Sequence, residues 1–281
     1  RSDSGGTVSG RLSMSNPNLQ QVPARNKDFG PKIRSLFIPE EGHKWGSFDY
    51  SQQEPRMTVH YAASIGDGYE GSNELVKAYQ NASADFHQTV ADLVGIERTQ
   101  AKTIGLGLMY GMGKQKLAIS LGVSKDEANE LIIKYNKKVP FVKKLSDRCK
   151  FAADEKGVIR TKKGRKCRFD MWETRDFGLH VAEKYEDAVA KYGKDNIKRA
   201  FTYKALNRLI QGSSADQTKQ SMLDCYENGN LPILQIHDEL CFNVVDKKHA
   251  EDIKKIMQNA IEFKVPSVVD YGLGESWGDA K

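Results

Sequence analysis

Acidic residues stand at the ends of two predicted strands, where they could bind divalent cations. Asp49 ends one apolar segment, and Asp238 and Glu239 lie between two others. Aspartate also favours turns, which explains either position equally well without a metal. If one antiparallel sheet joins the two strand ends, their acids could hold two cations about 4 Å apart, the arrangement used in phosphoryl transfer. Mg²⁺ suits such a site because it accepts few carboxylates and keeps positions for water and phosphates.

A four-residue repeat places two cations, an aliphatic residue and an aromatic residue along one face of a predicted helix. The repeat consists of Arg98, Lys102, Leu106 and Tyr110, and Gly111 follows directly. Residues four apart lie above one another on a helix. Two cations one turn apart can bind a polyphosphate, and the other two side chains offer a surface for a flat base or sugar. A surface helix whose cations extend into solvent explains the same pattern.

Basic residues are concentrated in one segment. Lys134 to Arg168 contains 14 basic and 3 acidic residues, whereas the whole chain carries a net charge of only +6. A polyanion partner and a solvated helix face explain this segment equally well. His87, in another predicted helix, is by itself most simply a partly buried helix histidine.

Periodicity and capping signals predict the elements that must position these residues. The predicted strands are Lys44–Tyr50, Leu231–Ile236, Leu240–Val245 and Ser267–Tyr271, with a basic-tipped hairpin within Gly157–Phe169. The predicted helices are Gln53–Ser64, one capped by Ser83 and ending at Leu93, Glu97 to about Tyr110, one opened by Ser124 and Glu127 and ending near Pro140, Lys198–Tyr226 and Lys247–Phe263. Strands near both ends and helices between them predict an α+β fold, an antiparallel-sheet core with a mainly helical insertion.

Composition excludes several classes of protein. The chain has 281 residues, of which 39% are apolar and 28% charged, so a disordered chain is excluded and a soluble globular protein is expected. The sequence shows neither a run of about 18 apolar residues nor a signal peptide. The four cysteines show no CxxC pairing, which favours free thiols in a reducing compartment. Because the chain does not begin with Met, we expect a fragment of a longer polypeptide.

Six segments in order resemble family A of the DNA polymerases. They are GRLSMSNPNLQQVP (Gly10–Pro23), FDYSQQEPR (Phe48–Arg56, motif A), RTQAKTIGLGLMYG (Arg98–Gly111, motif B), NRLIQG (Asn207–Gly212), QIHDEL (Gln235–Leu240, motif C) and GLGESW near the end. Each segment alone is a weak signal, but so many in the right order are highly specific.

The resemblance implies a right-hand polymerase fold, with palm at residues 1–64 and 204–281 and fingers at residues 65–203. No segment of this chain resembles the thumb or the exonuclease domain that normally precedes these motifs. The implied activity is template-directed addition of dNTPs to a primer 3′-hydroxyl, with two Mg²⁺ ions (Mn²⁺ as substitute) and release of pyrophosphate. The implied partners are primer–template DNA, dNTPs and a processivity factor or thumb- or exonuclease-bearing subunit, without a membrane. The expected location is the cytoplasm, which is the host's if a phage encodes the protein.

The resemblance also implies a role for each matched residue. Asp49 and Asp238 would bind the metals with the Tyr50 carbonyl, and Glu239 would support them. The dNTP would be bound by Arg98, Lys102, His87, Tyr110, Leu106, Gln52 and Glu54, with Lys102 also a catalytic proton donor and Glu54 the steric gate against ribose. Primer and template would contact Arg11, Asn207, Gln211, His237 and Gly111.

Three positions depart from the family pattern. Leu106 stands where Phe or Tyr is usual, Pro55 replaces Leu after the expected gate, and Tyr203 stands where Arg is frequent. Two other functions remain open from the sequence: a primer–template-binding fragment with little activity, and an enzyme like the single-subunit RNA polymerases.

Overall fold

A computed structural model describes residues 7–23, 26, 28–81, 85–176, 178 and 180–280. These residues form two compact units. The first comprises the described residues of Arg1–Met57, Tyr79–Ala82 and Ser213–Lys281, and the second those of Thr58–Ala78 and Ser83–Gly212. The palm and fingers limits drawn from the sequence remain predictions.

Antiparallel strands near both ends of the chain and a long run of helices between them confirm the predicted α+β class. The strands are β1 (Lys44–Tyr50), β2 (Val158–Arg160), β3 (Lys166–Arg168), β4 (Trp172–Thr174), β5 (Ile197–Arg199), β6 (Pro232–Ile236), β7 (Glu239–Val244) and β8 (Val269–Gly274). The helices are α1 (Gly30–Arg34), α2 (Gln53–Ala63), α3 (Ser72–Ala78), α4 (Phe86–Val94), α5 (Arg98–Met109), α6 (Lys114–Leu121), α7 (Lys125–Lys138), α8 (Pro140–Lys156), α9 (Tyr185–Tyr192), α10 (Ala205–Glu227) and α11 (Lys247–Asn259).

A four-stranded sheet in the order β6-β7-β1-β8 is the centre of the first unit. Alternation along β1 sends Phe48 and Tyr50 into an apolar core that includes Cys225 of α10 and Ile253 of α11. The opposite face carries a second core, formed by Trp45, Leu234, Ile236, Cys241, Trp277 and Ala280. Because β1 is central and packed on both sides, the direction of every side chain along it is fixed.

Tyr50 anchors the end of β1 to the helices. Its hydroxyl donates to the Met257 carbonyl (2.6 Å) and also hydrogen-bonds to the Ser221 hydroxyl. Burial raises the pKa of this phenol, so the Tyr50 side chain stays neutral and has a structural role. The chain therefore leaves β1 in a defined direction immediately after Asp49.

The second unit consists mainly of helices α3 to α9 and two short two-stranded sheets, β2–β3 and β4–β5. The capping box predicted at Ser124 and Glu127 is confirmed: each side chain accepts the backbone N–H of the other. Ser83, predicted to cap α4, lies outside the described residues, and the N-cap of that helix is Asp85. The basic-tipped hairpin is present as the pair β2–β3.

The predicted helix Lys198–Tyr226 is wrong over its first seven residues. Ile197–Arg199 is strand β5, paired with β4, and α10 begins only at Ala205. Phe201 adopts a left-handed conformation with φ of 62°, which interrupts any helix that would run through it. Helical periodicity alone did not reveal this break.

Two further features of the described residues concern membrane spans and cysteines. Among the helices of the described ranges, none is long and apolar enough to cross a membrane. The four cysteines, Cys149, Cys167, Cys225 and Cys241, are free and buried, as predicted.

Gly46 gives a test of the packing that fixes β1. A Cβ at this position would lie 2.5 Å from Cγ2 of Val244 and 2.8 Å from the ring of Phe48. Gly46→Ala should therefore lower the free energy of unfolding by about 1–3 kcal/mol, measured by urea denaturation. If the contact with Val244 is the cause, the substitution should cost less in a Val244→Ala background; equal costs in both backgrounds would contradict this packing.

Candidate active site

The strand register collects carboxylates at one end of the sheet. Asp49 of β1 lies directly opposite Glu239 of β7 on one side and Asp270 of β8 on the other. Residues opposite each other project to the same face of a sheet. Asp238 occupies the turn that precedes Glu239. The first unit thus brings together the three acids named from the sequence and adds a fourth.

Sequence reasoning missed Asp270. This residue stands alone in an apolar strand, and nothing in its neighbourhood distinguishes it from an ordinary exposed aspartate. Its position depends on the pairing of β8 with β1, which joins segments more than 200 residues apart in sequence. The sequence did predict a final strand that contains Asp270, but periodicity does not specify which other strand this one pairs with.

The turn that carries Asp238 is held by two glutamines. His237 has φ of 57°, an uncommon conformation for a residue other than glycine. The Gln235 side chain donates to the His237 carbonyl (2.6 Å), and Gln20 donates to Gln235 (3.1 Å). The segment around Gln20 therefore stabilises the turn on which Asp238 lies.

Glu239 is held by donors from its own unit. Trp277 donates its indole N–H to Glu239 Oε1 (3.2 Å), and the Cys241 thiol donates to the same oxygen (3.5 Å). One carboxylate oxygen of Glu239 is thus already engaged by two donors. Asp49 keeps part of its surface accessible to solvent at the end of its strand, although the surrounding protein desolvates its carboxyl group.

Repulsion within the acid cluster raises carboxyl pKa values. Desolvation raises the pKa of Asp49 first, followed by the charges of Asp238, Glu239 and Asp270. Desolvation also raises the pKa of Asp238, while the nearby positive charge of Arg11 acts in the opposite direction. A divalent cation among these acids would relieve the repulsion.

The donor set suits Mg²⁺ with an incomplete protein shell. Carboxylate oxygens are the ligands that this ion prefers, and it keeps several positions for water or phosphate oxygens. Within the described residues, no group of three or more His, Cys, Asp or Glu side chains forms a ready-made metal cage.

Arg11 and Glu54 form an ion pair beside these acids. The distance between Arg11 Nη2 and Glu54 Oε1 is 2.8 Å, and the Glu54 side chain is only 14% exposed. Gln52, just before α2, has φ of 52° and accepts a hydrogen bond from the Tyr79 hydroxyl (3.4 Å). From the sequence, Glu54 was expected to lie against the sugar of the dNTP and Arg11 to contact primer or template. The structure pairs these two side chains with each other.

Helices α4 and α5 of the second unit form a cationic face. Arg98 donates twice to Asp85 Oδ2 (3.1 and 2.6 Å), while Lys102, one turn later, is exposed. Burial alone would raise the pKa of Asp85, but hydrogen bonds from Arg98 and the Gln88 backbone lower it below its usual range. Lys102 makes no ion pair within the described residues.

His87 is buried beside these cations. Its side chain is 4% exposed, and its Nδ1 has no hydrogen-bond partner among the described residues. Burial lowers the pKa of His87 to about 4, with Lys102 and Arg98 acting in the same direction and Asp85 against it. The imidazole is therefore neutral at physiological pH and carries an unused polar atom.

The remaining predicted residues lie along α5 and α10. Leu106 and Tyr110 are half-buried at the end of α5, and Gly111 has φ of 68°. A Cβ on Gly111 would lie 3.1 Å from the Tyr203 ring, so both backbone conformation and packing favour glycine. Asn207 and Gln211 are half-buried, one turn apart, and neither amide has a hydrogen-bond partner within the part of the chain that the structure describes.

Comparison with known proteins places these motifs in one family. Residues 2–279 match the model of DNA polymerase family A. A DNA-directed DNA polymerase of Pseudomonas phage M6 is 39% identical over 97% of this chain and 44% of its own length. DNA polymerase I of Caldicellulosiruptor bescii is 34% identical over 98% of this chain and 31% of its own.

A solved structure shows the same fold. The POL domain of Pol1 from M. smegmatis, in complex with DNA primer–template and dNTP, is 28% identical with a TM-score of 0.76. The match covers 97% of this chain and 47% of that one. This chain thus spans less than half the length of each of these three proteins. The order of its motifs, its fold and its relatives together show that the chain belongs to DNA polymerase family A.

Proposed function

We propose that this chain carries the nucleotidyl-transfer site of a DNA-directed DNA polymerase. The observation that carries the proposal is the acid cluster at the end of the sheet, where the strand register places Asp49 opposite Glu239 and Asp270 and the adjoining turn carries Asp238. The cationic face of α4 and α5 supports it, because a triphosphate needs such donors. The related Pol1 domain was solved with primer–template and dNTP, the partners proposed here.

Asp49 and Asp238 would hold two Mg²⁺ ions, with the Tyr50 carbonyl as a further ligand. When bound, these ions would lower the pKa of the primer 3′-hydroxyl and neutralise charge on the leaving pyrophosphate. The reaction joins the 3′-oxygen to the α-phosphorus of the dNTP and breaks the bond to the β-phosphate oxygen. Glu239 and Asp270 would add negative charge that strengthens cation binding.

The cationic face would bind the triphosphate. Lys102 would contact the phosphates and donate a proton to pyrophosphate as it leaves. His87, held neutral by burial, would use its ring as a hydrogen-bonding group rather than as a charge. Arg98 would exchange Asp85 for a phosphate oxygen, since both are anionic acceptors.

Other residues would select the nucleotide and hold the DNA. Glu54 would close the space that a ribose 2′-hydroxyl requires, in a position fixed by Arg11. Tyr110 and Leu106 would flank the nascent base pair. The amides of Asn207 and Gln211, with Arg11 and His237, would contact primer or template through acceptors common to all base pairs. The cytoplasmic location and an additional subunit remain predictions.

Removing a metal-binding carboxylate should abolish synthesis. Asp49→Asn and Asp238→Asn should each lower the single-turnover rate of primer extension by more than about a hundredfold, because even supporting residues of metal sites contribute about 10- to 100-fold. Asp270→Asn should fall within that smaller range. Primer–template affinity, measured by fluorescence anisotropy, should change little.

Glu275→Gln is the matched control, because this exposed carboxylate lies beyond the opposite end of β8. It should extend primers at the wild-type rate. Normal extension by the Asp49 or Asp238 variant would refute the metal assignment.

Metal binding should be visible in thermal stability. Because the folded-state pKa values of Asp49 and Asp238 are raised, their contribution to stability is present at acidic pH and is lost as pH rises through those values. The increase in Tm on adding Mg²⁺ should therefore be larger at about pH 8 than at about pH 5. Asp49→Asn should raise Tm in the absence of Mg²⁺ and reduce the Mg²⁺-dependent increase; a full increase in this variant would contradict the site.

If Glu54 is the steric gate, discrimination against rNTPs should depend on the size of the side chain at this position and not on its charge. Glu54→Ala should raise rNTP incorporation relative to dNTP by about 10- to 200-fold, the range for one small group in a pocket. Glu54→Gln keeps the volume and should retain discrimination. If the wild-type protein uses rNTPs and dNTPs equally, the gate is wrong and the RNA polymerase alternative gains support.

A further inference from the structure

A cleft of about 380 Å³ lies within the second unit, lined by residues of α2, α8, β2 and α10 and by neighbouring residues. Its floor is apolar and contains Leu145, Ile159 and Leu209, all of which are buried. Tyr61 and Ile65, near the end of α2, complete the apolar lining and are half-buried. The volume is at the lower end of the range for small-molecule pockets, so it suits one or two flat groups.

Exposed cations form the rim of this cleft. Arg148 and Lys156 of α8 and Arg160 of β2 line it, and among the residues that the structure describes no Asp or Glu does so. None of the three makes an ion pair within the described residues. Arg160 donates to the Gly164 carbonyl (3.2 Å), which leaves its charge uncompensated.

Other lysines of α8 do form ion pairs with acidic residues. Lys143 pairs with Asp147 (2.5 Å) and Lys150 pairs with Asp154 (2.7 Å), each four residues later on the helix. Lys144 lies 3.8 Å from Glu70. Acids therefore neutralise these lysines, whereas the cations at the cleft are left available for an anionic ligand.

An apolar floor and a cationic rim together favour a single strand of nucleic acid. Duplex DNA presents phosphates to a protein but keeps its bases stacked, so it needs cations and no apolar cleft. An unpaired strand presents both phosphates and flat base surfaces, and proteins bind it with basic grooves and aromatic or apolar platforms. β2 also leads directly into the basic hairpin tip at Lys162, Lys163 and Arg165, which continues the positive surface along the chain.

We propose that this cleft binds an unpaired nucleotide of a DNA strand, with its base against Tyr61 and the apolar floor and its phosphates at Arg148, Lys156 and Arg160. The inference rests on the proposed function for the source of that strand, the unpaired template beyond the primer. The binding itself requires only a single-stranded oligonucleotide. It would add affinity for the unpaired part of the substrate.

The test compares labelled DNAs that differ only in their unpaired part, by fluorescence anisotropy. The probes are a blunt duplex, the same duplex with a single-stranded overhang, and the overhang strand alone. The double variant Arg148→Gln/Lys156→Gln should bind the overhang duplex and the single strand about tenfold more weakly, with a smaller salt dependence. Its affinity for the blunt duplex and its primer-extension rate at saturating DNA should be unchanged.

Lys143→Gln/Lys150→Gln is the matched control, since it removes two charges of the same helix that acids already neutralise. It should bind all three DNAs like the wild-type protein. Tyr61→Leu tests the base contact: a fluorescent adenine analogue in the overhang should lose the change in emission that it shows with the wild-type protein. Thermal unfolding of each variant confirms that it is folded.

Three outcomes would overturn the inference. They are unchanged overhang binding by the Arg148/Lys156 variant, equal losses for blunt and overhang DNA, and binding at the cleft of an acidic peptide probe in place of the single strand. The proposed function fails in a different way, because the wild-type protein would then extend no primer while its oligonucleotide binding could still be measured.

Discussion

Electrostatic repulsion among the carboxylates at one end of the sheet is the constraint on which the rest of the first unit depends. Asp49, Asp238, Glu239 and Asp270 would separate in a flexible chain. Burial raises the pKa of both Asp49 and Asp238, and the charges of the three neighbouring acids raise that of Asp49 further. The pairing of β1 with β7 and β8 prevents that separation. Apolar packing on both faces of the sheet supplies the free energy that opposes the repulsion.

The arrangement requires contacts between segments that are far apart in sequence. Gln20 reaches Gln235, which holds the turn at Asp238, and Trp277 holds Glu239. Arg11 pairs with Glu54 in the same way. Segments near the beginning and near the end of the chain thus each position one part of the acid cluster.

Local signals allowed much of the fold to be predicted. β1 has the limits expected from its apolar pattern, and the capping box of α7 follows from two side chains three residues apart. The family motifs supplied the site residues, whereas periodicity alone left a metal site and a turn equally plausible for Asp49.

The features that the sequence did not reveal depend on long-range pairing or on backbone conformation. Asp270 joins the acids through the register of β8, and α10 begins late because of the left-handed conformation of Phe201. The Arg11–Glu54 pair was likewise missed, because it joins a residue near the beginning of the chain to the first turn of a helix 43 residues later.

The ion pair between Arg98 and Asp85 has a consequence for ligand selectivity. Asp85 is an internal competitor, since an anion that uses the Nε and Nη2 donors of Arg98 must displace a carboxylate that is also the N-cap of α4. An anion with one phosphate group would gain few contacts from the exchange, whereas the triphosphate proposed above would gain several along the cationic face. The pair would therefore act as a threshold for binding, lowering affinity for every anion while discriminating against the small ones most abundant in solution.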